Sequence, residues 1–217
     1  MDLSQGMVQI SVLALPVLFA ITLHEAAHGY VARHFGDLTA HQAGRISLNP
    51  LRHIDPIGTV LVPLLMFLTA GFLFGWAKPV PVNFARLRHP KQDMLWVALA
   101  GPAANLFMAV LWILISKMAL HSAGGTAGAW FYSMAQAGIM INVVLMVLNL
   151  IPLPPLDGGR IAVSLLPQPY AYRFSKIEPY GMIILIVLLM FEFSSEGGFI
   201  IYPLVQLSLK LLLSLFG

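Results

Sequence analysis

The chain is built from long apolar blocks that show neither the 3.6-residue stripe of a surface helix nor the alternation of a half-buried strand. Blocks at about 7–33, 93–119, 129–152 and 179–193 read as helices able to cross or nearly cross a hydrocarbon core of ~30 Å, and a fifth apolar segment runs from 199 to 216. A further stretch, 57–75, contains Pro63 and is bracketed by Gly58, Gly71 and Gly75. Arg33, Arg45 and Arg52 precede it; Lys78, Arg86, Arg88 and Lys91 follow it. Basic flanks favour the cytoplasm, so this segment is expected to enter and leave on one face as a re-entrant loop, with a plain spanning helix as the alternative. Residues 120–128 lack Lys and Arg, whereas Arg160, Arg173 and Lys176 follow the 129–152 block. That asymmetry places the N-terminus and the 120–128 loop outside, and the 153–178 connection in the cytoplasm.

Two polar stretches, 43–49 and 78–84, look extended; Pro79 and Pro81 forbid a helix in the second. The expected fold is an all-α polytopic membrane protein. It comprises a bundle of about four to six transmembrane helices, a re-entrant segment and short extended membrane-proximal stretches, forming a single domain over 1–217.

Composition agrees with this class. Hydrophobic residues make up 59% of the chain, charged residues only 10%, and mean hydropathy is +0.83. A soluble domain carries roughly a quarter charged residues. The net charge of +3 resides in short loops, which argues for membrane orientation and against nucleic-acid binding. The absence of cysteine removes disulfides, thiolate ligands and Cys nucleophiles together. The N-terminal block lacks a basic leader and continues into the motif described next, so it reads as a first spanning helix and not as a cleaved signal.

Between Met7 and Ala27 the only ionisable groups are His24 and Glu25, and they open His24-Glu25-Ala26-Ala27-His28. On a helix, His24 and His28 share a face and reach one metal ion, while Glu25 stands beside it, placed to take a proton from bound water. Chance expects about 0.004 such motifs in a chain of this composition. Ionisable groups in lipid are costly and mark function. The alternative is a pair of helix histidines bonded to backbone carbonyls.

A catalytic zinc needs a third protein ligand and an open position. His24 lies nine residues before Arg33, which puts the metal roughly 13 Å inside that end. Asp157 is the candidate at matching depth. It follows Asn149-Leu-Ile-Pro-Leu-Pro-Pro-Leu directly after the 129–152 block, and Gly158-Gly159 let the backbone bend. Its alternative role is N-cap of a short helix, 158–166. Asp55, ahead of Pro56, reads as a helix cap, and Asp37, Asp93 and Glu178 as boundary residues. His34, His41, His53, His89 and His121 fall in loops or at block ends, with His41 and His53 nearest the expected mouth. Asn105, after Gly101, reads as an amide facing the bundle. Asn149 sits one to two turns above the proposed metal. It either helps hold a substrate carbonyl or oxyanion or serves helix packing.

Taken together, HEAAH in the first block, Gly101-x-x-x-Asn105 in the second, and Asn149-x-x-Pro152 ahead of Leu156-Asp157-Gly158 resemble the site-2 protease family of intramembrane zinc metalloproteases. The order and approximate spacing also match, over roughly 15–165. The resemblance implies one Zn2+ held by His24, His28 and Asp157, with Glu25 as catalytic base. It also implies substrates that are transmembrane segments of other proteins; the basic asymmetry sets the expected site in the cell membrane, toward the cytoplasm. No PDZ or CBS domain of the kind found in some members is present in the chain. Peptide hydrolysis in lipid requires a water route and local unwinding of a helical substrate, and the stretches 43–49 and 78–84 offer possible pairing edges. The competing classes are a metal-ion or proton transporter and a catalytically silent membrane scaffold. A transporter would string polar groups through the bilayer, and a silent scaffold would have lost Glu25 or a ligand; neither pattern is present in the sequence.

Overall fold

The computed structural model describes residues 3–62, 65–66, 75–122, 125–194 and 198–216. Three long helices dominate it: α1 (Leu3–His34), α3 (Pro90–Ser122) and α4 (Thr126–Leu150). Short α2 (Thr39–Gln42) follows α1. After α4 come α5 (Asp157–Leu165), α6 (Gln168–Ser175), α7 (Glu178–Ser194) and α8 (Ile201–Phe216). The first three are each long and apolar enough to span a membrane, and α6 with α7 forms a further candidate span bent by 64°. The 16-residue α8 is apolar but short. The expected all-α bundle is therefore present, with three candidate spans among the described residues, or four if the bent pair counts as one.

Packing is strongest between α3 and α4, and α1 lies against both. Met108, Ala109, Trp112 and Ile113 of α3 interleave with Met134, Ala135, Ile139, Val143 and Val147 of α4, and Leu185 and Val205 close the core from α7 and α8. Gly138 permits this approach, because a Cβ there would stand 2.4 Å from the Trp112 ring. The outer faces stay apolar: Leu15, Phe19, Phe107, Leu114 and Phe131 are all exposed. Water would penalise such a surface, whereas hydrocarbon does not.

Most of the expected re-entrant stretch, 63–64 and 67–74, lies outside the described residues. Its two ends do meet. The Trp76 N–H donates to Gly58 O at 3.0 Å, the Thr59 hydroxyl donates to Trp76 O at 3.0 Å, and the Lys78 N–H donates to His53 O at 2.9 Å. A segment whose ends are hydrogen-bonded begins and finishes at the same level, as a re-entrant loop requires. Asp55 caps its entry, accepting from the N–H groups of Ile57 and Gly58, with Pro56 next in line.

From Gly75 to Asn83 the chain runs as a non-helical strap across the ends of α1 and α3. Val82 and Phe84 pack beside Ala32, Leu87 and Val97. Neither this strap nor 43–49 forms a strand among the described residues. The strap is tied down by Asp37, a fully buried carboxylate that accepts from Thr39 N, Thr39 Oγ and Asn83 N at 3.0, 2.5 and 2.7 Å. Burial alone would raise the Asp37 pKa; these donors and Arg86 outweigh it and hold the carboxyl below its usual range. A depressed folded pKa contributes stability that is complete above the unfolded value near 3.9 and disappears as pH falls through the folded one. Asp37→Asn is therefore expected to lower stability by about 1–3 kcal/mol at pH 7. Thermal unfolding in detergent at pH 7 and pH 3.5 tests this, since the gap from wild type should narrow in acid.

Candidate metal centre

The HEAAH segment lies on α1 at the depth where α3 crosses it. His24 Nε2 and His28 Nε2 stand 3.1 Å apart, and Asp157 Oδ2 lies 3.2 Å from the first and 3.3 Å from the second. Among the described residues this trio is the group suited to hold a metal. Asp157 is the first residue of α5, with Leu156 and not Asp157 at the N-cap, and its carboxylate stands instead beside the two imidazoles.

The protonation of the imidazoles follows from their partners. His28 Nδ1 lies 2.7 Å from Val97 O, a carbonyl that only accepts, so the proton sits on Nδ1. Asn105 Nδ2 donates to Ala20 O and Asn142 Oδ1 at 3.2 and 3.0 Å, which turns Asn105 Oδ1 toward His24 Nδ1 at 2.6 Å. Asn142 Nδ2 in turn donates to Gly138 O at 2.8 Å. In neutral imidazoles with the proton on Nδ1, both Nε2 lone pairs face each other and the buried Asp157 Oδ2. A set of acceptors this close is relieved by a shared cation, a role a metal ion fills. Four ligands at about 2.0–2.1 Å in a tetrahedron are roughly 3.3 Å apart, which these three separations match. The residues fit zinc, with the fourth corner left to the cleft.

The surroundings explain several glycines. A Cβ on Gly101 would lie 2.5 Å from both His24 Cε1 and His28 Nε2, so α3 packs directly on the imidazoles. On Gly158 it would meet Leu150 O at 2.3 Å, and on Gly159 Pro154 N at the same distance. Only a bare backbone lets the loop after α4 fold under itself and deliver Asp157 inward.

Glu25 lines the same cleft, a cavity of ≈190 Å³. Its Oε2 accepts the Val80 N–H of the strap at 2.7 Å. Asn149 and Arg160 also line the cleft. Asn149 Nδ2 donates to Leu145 O at 3.0 Å, one turn back in its own helix, which occupies one of its two amide hydrogens. The Arg160 guanidinium rests 4.8 Å from the Phe84 ring centre and 3.8 Å from Glu178.

The other sequence candidates separate from this cluster. His41 is exposed on α2. His53 is buried and braces its own loop through Nε2 to Ser47 O at 2.9 Å. Much of the stretch 78–84, one of the two possible pairing edges, is occupied within the chain: the N–H groups of Lys78, Val80 and Asn83 are spent on His53, Glu25 and Asp37, and Pro79 and Pro81 have none. Asn105, read from sequence as bundle glue, orients His24. Asn142, an amide inside an apolar block, carries the same cost as Asn105 and completes its hydrogen bonding. Val97 O and Val80 N–H are backbone groups and leave no mark in a sequence.

Metal-assisted hydrolysis inside an apolar helical bundle defines the class: a metalloprotease embedded in a membrane. Comparison with known proteins agrees. The model of peptidase family M50 matches residues 116–191. YwhC of Bacillus subtilis (strain 168), provisionally named a zinc metalloprotease, is 37% identical over 209 residues, covering 94% of this chain and 90% of YwhC. Rip2 of Mycolicibacterium smegmatis, named in the same provisional way, is 32% identical over 175 residues, covering 80% of this chain and 64% of Rip2. Zinc metalloprotease MJ0392 of Methanocaldococcus jannaschii is 25% identical over 183 residues, 83% of this chain and 42% of that protein. No solved structure matches significantly. The chain belongs to peptidase family M50, in keeping with its resemblance to the site-2 proteases, and is a zinc-dependent protease.

Partners of metal-ligating histidines typically govern affinity by 10–100-fold. Asn105→Ala should weaken zinc retention against a chelator by about that factor. Gly101→Ala, whose methyl group would intrude between the imidazoles, should abolish stoichiometric zinc; full zinc content in that variant would refute the assigned geometry.

Proposed function

We propose that this protein hydrolyses peptide bonds within or beside transmembrane segments of other membrane proteins, with His24, His28 and Asp157 holding the zinc and Glu25 as general base. The observation that carries the reading is the convergence of His24 Nε2, His28 Nε2 and Asp157 Oδ2 to within 3.1–3.3 Å beside Glu25, inside a bundle with lipid-suited outer faces. When bound, zinc supplies Lewis-acid chemistry, polarising a carbonyl and acidifying water.

The chain's own residues do the rest. Glu25 keeps Oε2 on the Val80 amide, which leaves Oε1 to receive the water proton and then pass it to the leaving amine. The free amide hydrogen of Asn149 is available to a substrate carbonyl or to the developing oxyanion. Pro79, Val80, Val82 and Val97 give the cleft apolar walls. A cleft of ≈190 Å³ is too narrow for a helix of roughly 10 Å diameter, so the substrate enters as locally unwound backbone. A transporter is disfavoured because the metal-binding side chains gather at one depth. A silent scaffold would not retain a base beside an intact ligand set.

One kinetic comparison separates these roles. Glu25→Gln should retain stoichiometric zinc and lose nearly all cleavage of a transmembrane substrate. His24→Ala and Asp157→Ala should lose both. Asn149→Ala should keep zinc and fold while turnover drops roughly 10²-fold. Wild-type cleavage by Glu25→Gln would end the mechanism; an unchanged rate in Asn149→Ala would return that residue to packing.

Orientation is part of the same proposal: the site opens toward the cytoplasm of the cell membrane. Single cysteines at the exposed positions Gly36, Arg86 and Tyr172 should all react with an impermeant thiol reagent from the cytoplasmic side. Reaction of position 86 from the opposite side would exclude this topology.

A further inference from the structure

Away from the metal-site cleft, and sharing no residue with it, an open basin of ≈550 Å³ lies between the end of α2 and the entry of the 57–75 stretch. Arg45, Arg52 and Lys78 line it. Among the described residues, none of these three cations has a carboxylate within ion-pair distance. Both arginines are nonetheless held in place. Arg45 Nη2 donates to Lys78 O at 3.0 Å and Pro79 O at 3.4 Å, and Arg52 Nη1 donates to Gly44 O. Arg45 Nε is buried and has no partner. Three positive charges around one hollow, two of them held in place, repel each other, and an anion with several oxygens relieves that repulsion. The guanidinium fork matches phosphate.

The rim distinguishes between phosphate sources. Leu51, also lining the basin, is 73% exposed, and Leu48 on the preceding turn is 58% exposed. A hollow for free phosphate has no use for bare leucines. At a bilayer boundary those side chains meet acyl chains while the cations meet headgroups. We propose that this basin binds the phosphate of an anionic phospholipid headgroup. The site adjoins the machinery of proteolysis: Arg45 grips the carbonyls of Lys78 and Pro79, and the next residue, Val80, holds Glu25. A headgroup seated on Arg45 and Lys78 therefore braces the strap from its outer side. The inference rests on residence in a bilayer and not on the proposed substrate.

The test uses the full zinc-loaded chain, purified in detergent and stripped of lipid, with bound lipid read by native mass spectrometry. Phosphatidylglycerol should be retained at roughly tenfold lower concentration than phosphatidylcholine. Arg52→Gln and Lys78→Gln, both at exposed side chains, should each cut that preference by about fivefold, and the double variant should abolish it. Arg52→Lys with Lys78→Arg should retain most of it. Zinc content equal to wild type in each variant shows that the fold is intact. Inorganic phosphate at 10 mM, an amount of roughly physiological order, should leave retention unchanged. Displacement of the lipid by phosphate, equal retention of the two lipids, or full preference in the double glutamine variant would each overturn the proposal.

Discussion

Three ligand atoms brought to one point inside an apolar bundle form the constraint on which this structure depends. His24, His28 and Asp157 bring Nε2, Nε2 and Oδ2 within 3.1–3.3 Å of each other. Their direction is imposed from behind. Gly138 O orients Asn142, Asn142 orients Asn105, and Asn105 fixes the His24 tautomer. That relay crosses from α4 through α3 to α1, so the helices that make the bundle also set the chemistry of the ligands. The small residues serve the same end, since Gly101 lets α3 touch the imidazoles and Gly138 lets α4 touch Trp112.

Meeting at one point also restricts topology. Asp157 enters from the loop after α4, whereas the histidines lie on α1, and two long helices intervene. The ligands coincide only if the chain between residues 34 and 90 returns to the side it left. The hydrogen bonds joining Trp76 to Gly58 and Lys78 to His53 show the ends of the intervening stretch closing at one level.

Much of this was legible beforehand, for identifiable reasons. Hydrocarbon tolerates few ionisable groups, so His24 and Glu25 stood out against an empty background, and helical spacing tied His28 to His24. Prolines and glycines around Asp157 announced a bend, which the close packing of Gly158 and Gly159 against backbone explains. The Asp55 cap was readable from Asp-Pro alone. The sequence concealed whatever depends on backbone atoms or on which helix faces which. Nothing in the spelling of Val97 or Val80 reveals that one supplies a carbonyl to His28 and the other an amide to Glu25. Asn105 gave a cost without a partner, and Asn142 gave the same cost and was passed over. The proline-rich strap looked extended, but the N–H groups of Trp76, Lys78, Val80 and Asn83 are bonded within the chain.

The strap changes how access and chemistry relate. A base held by a neighbouring side chain would be indifferent to the opening of a loop. Glu25 is held instead by the main chain of residue 80, and that main chain is one wall of the cleft. Phe84, further along the same segment, lies under the Arg160 guanidinium on α5, so the strap is fastened on both sides of the metal centre. Val80 N–H thus sets where Glu25 Oε2 sits, so the wall of the cleft and the placement of the proposed base are one structural element.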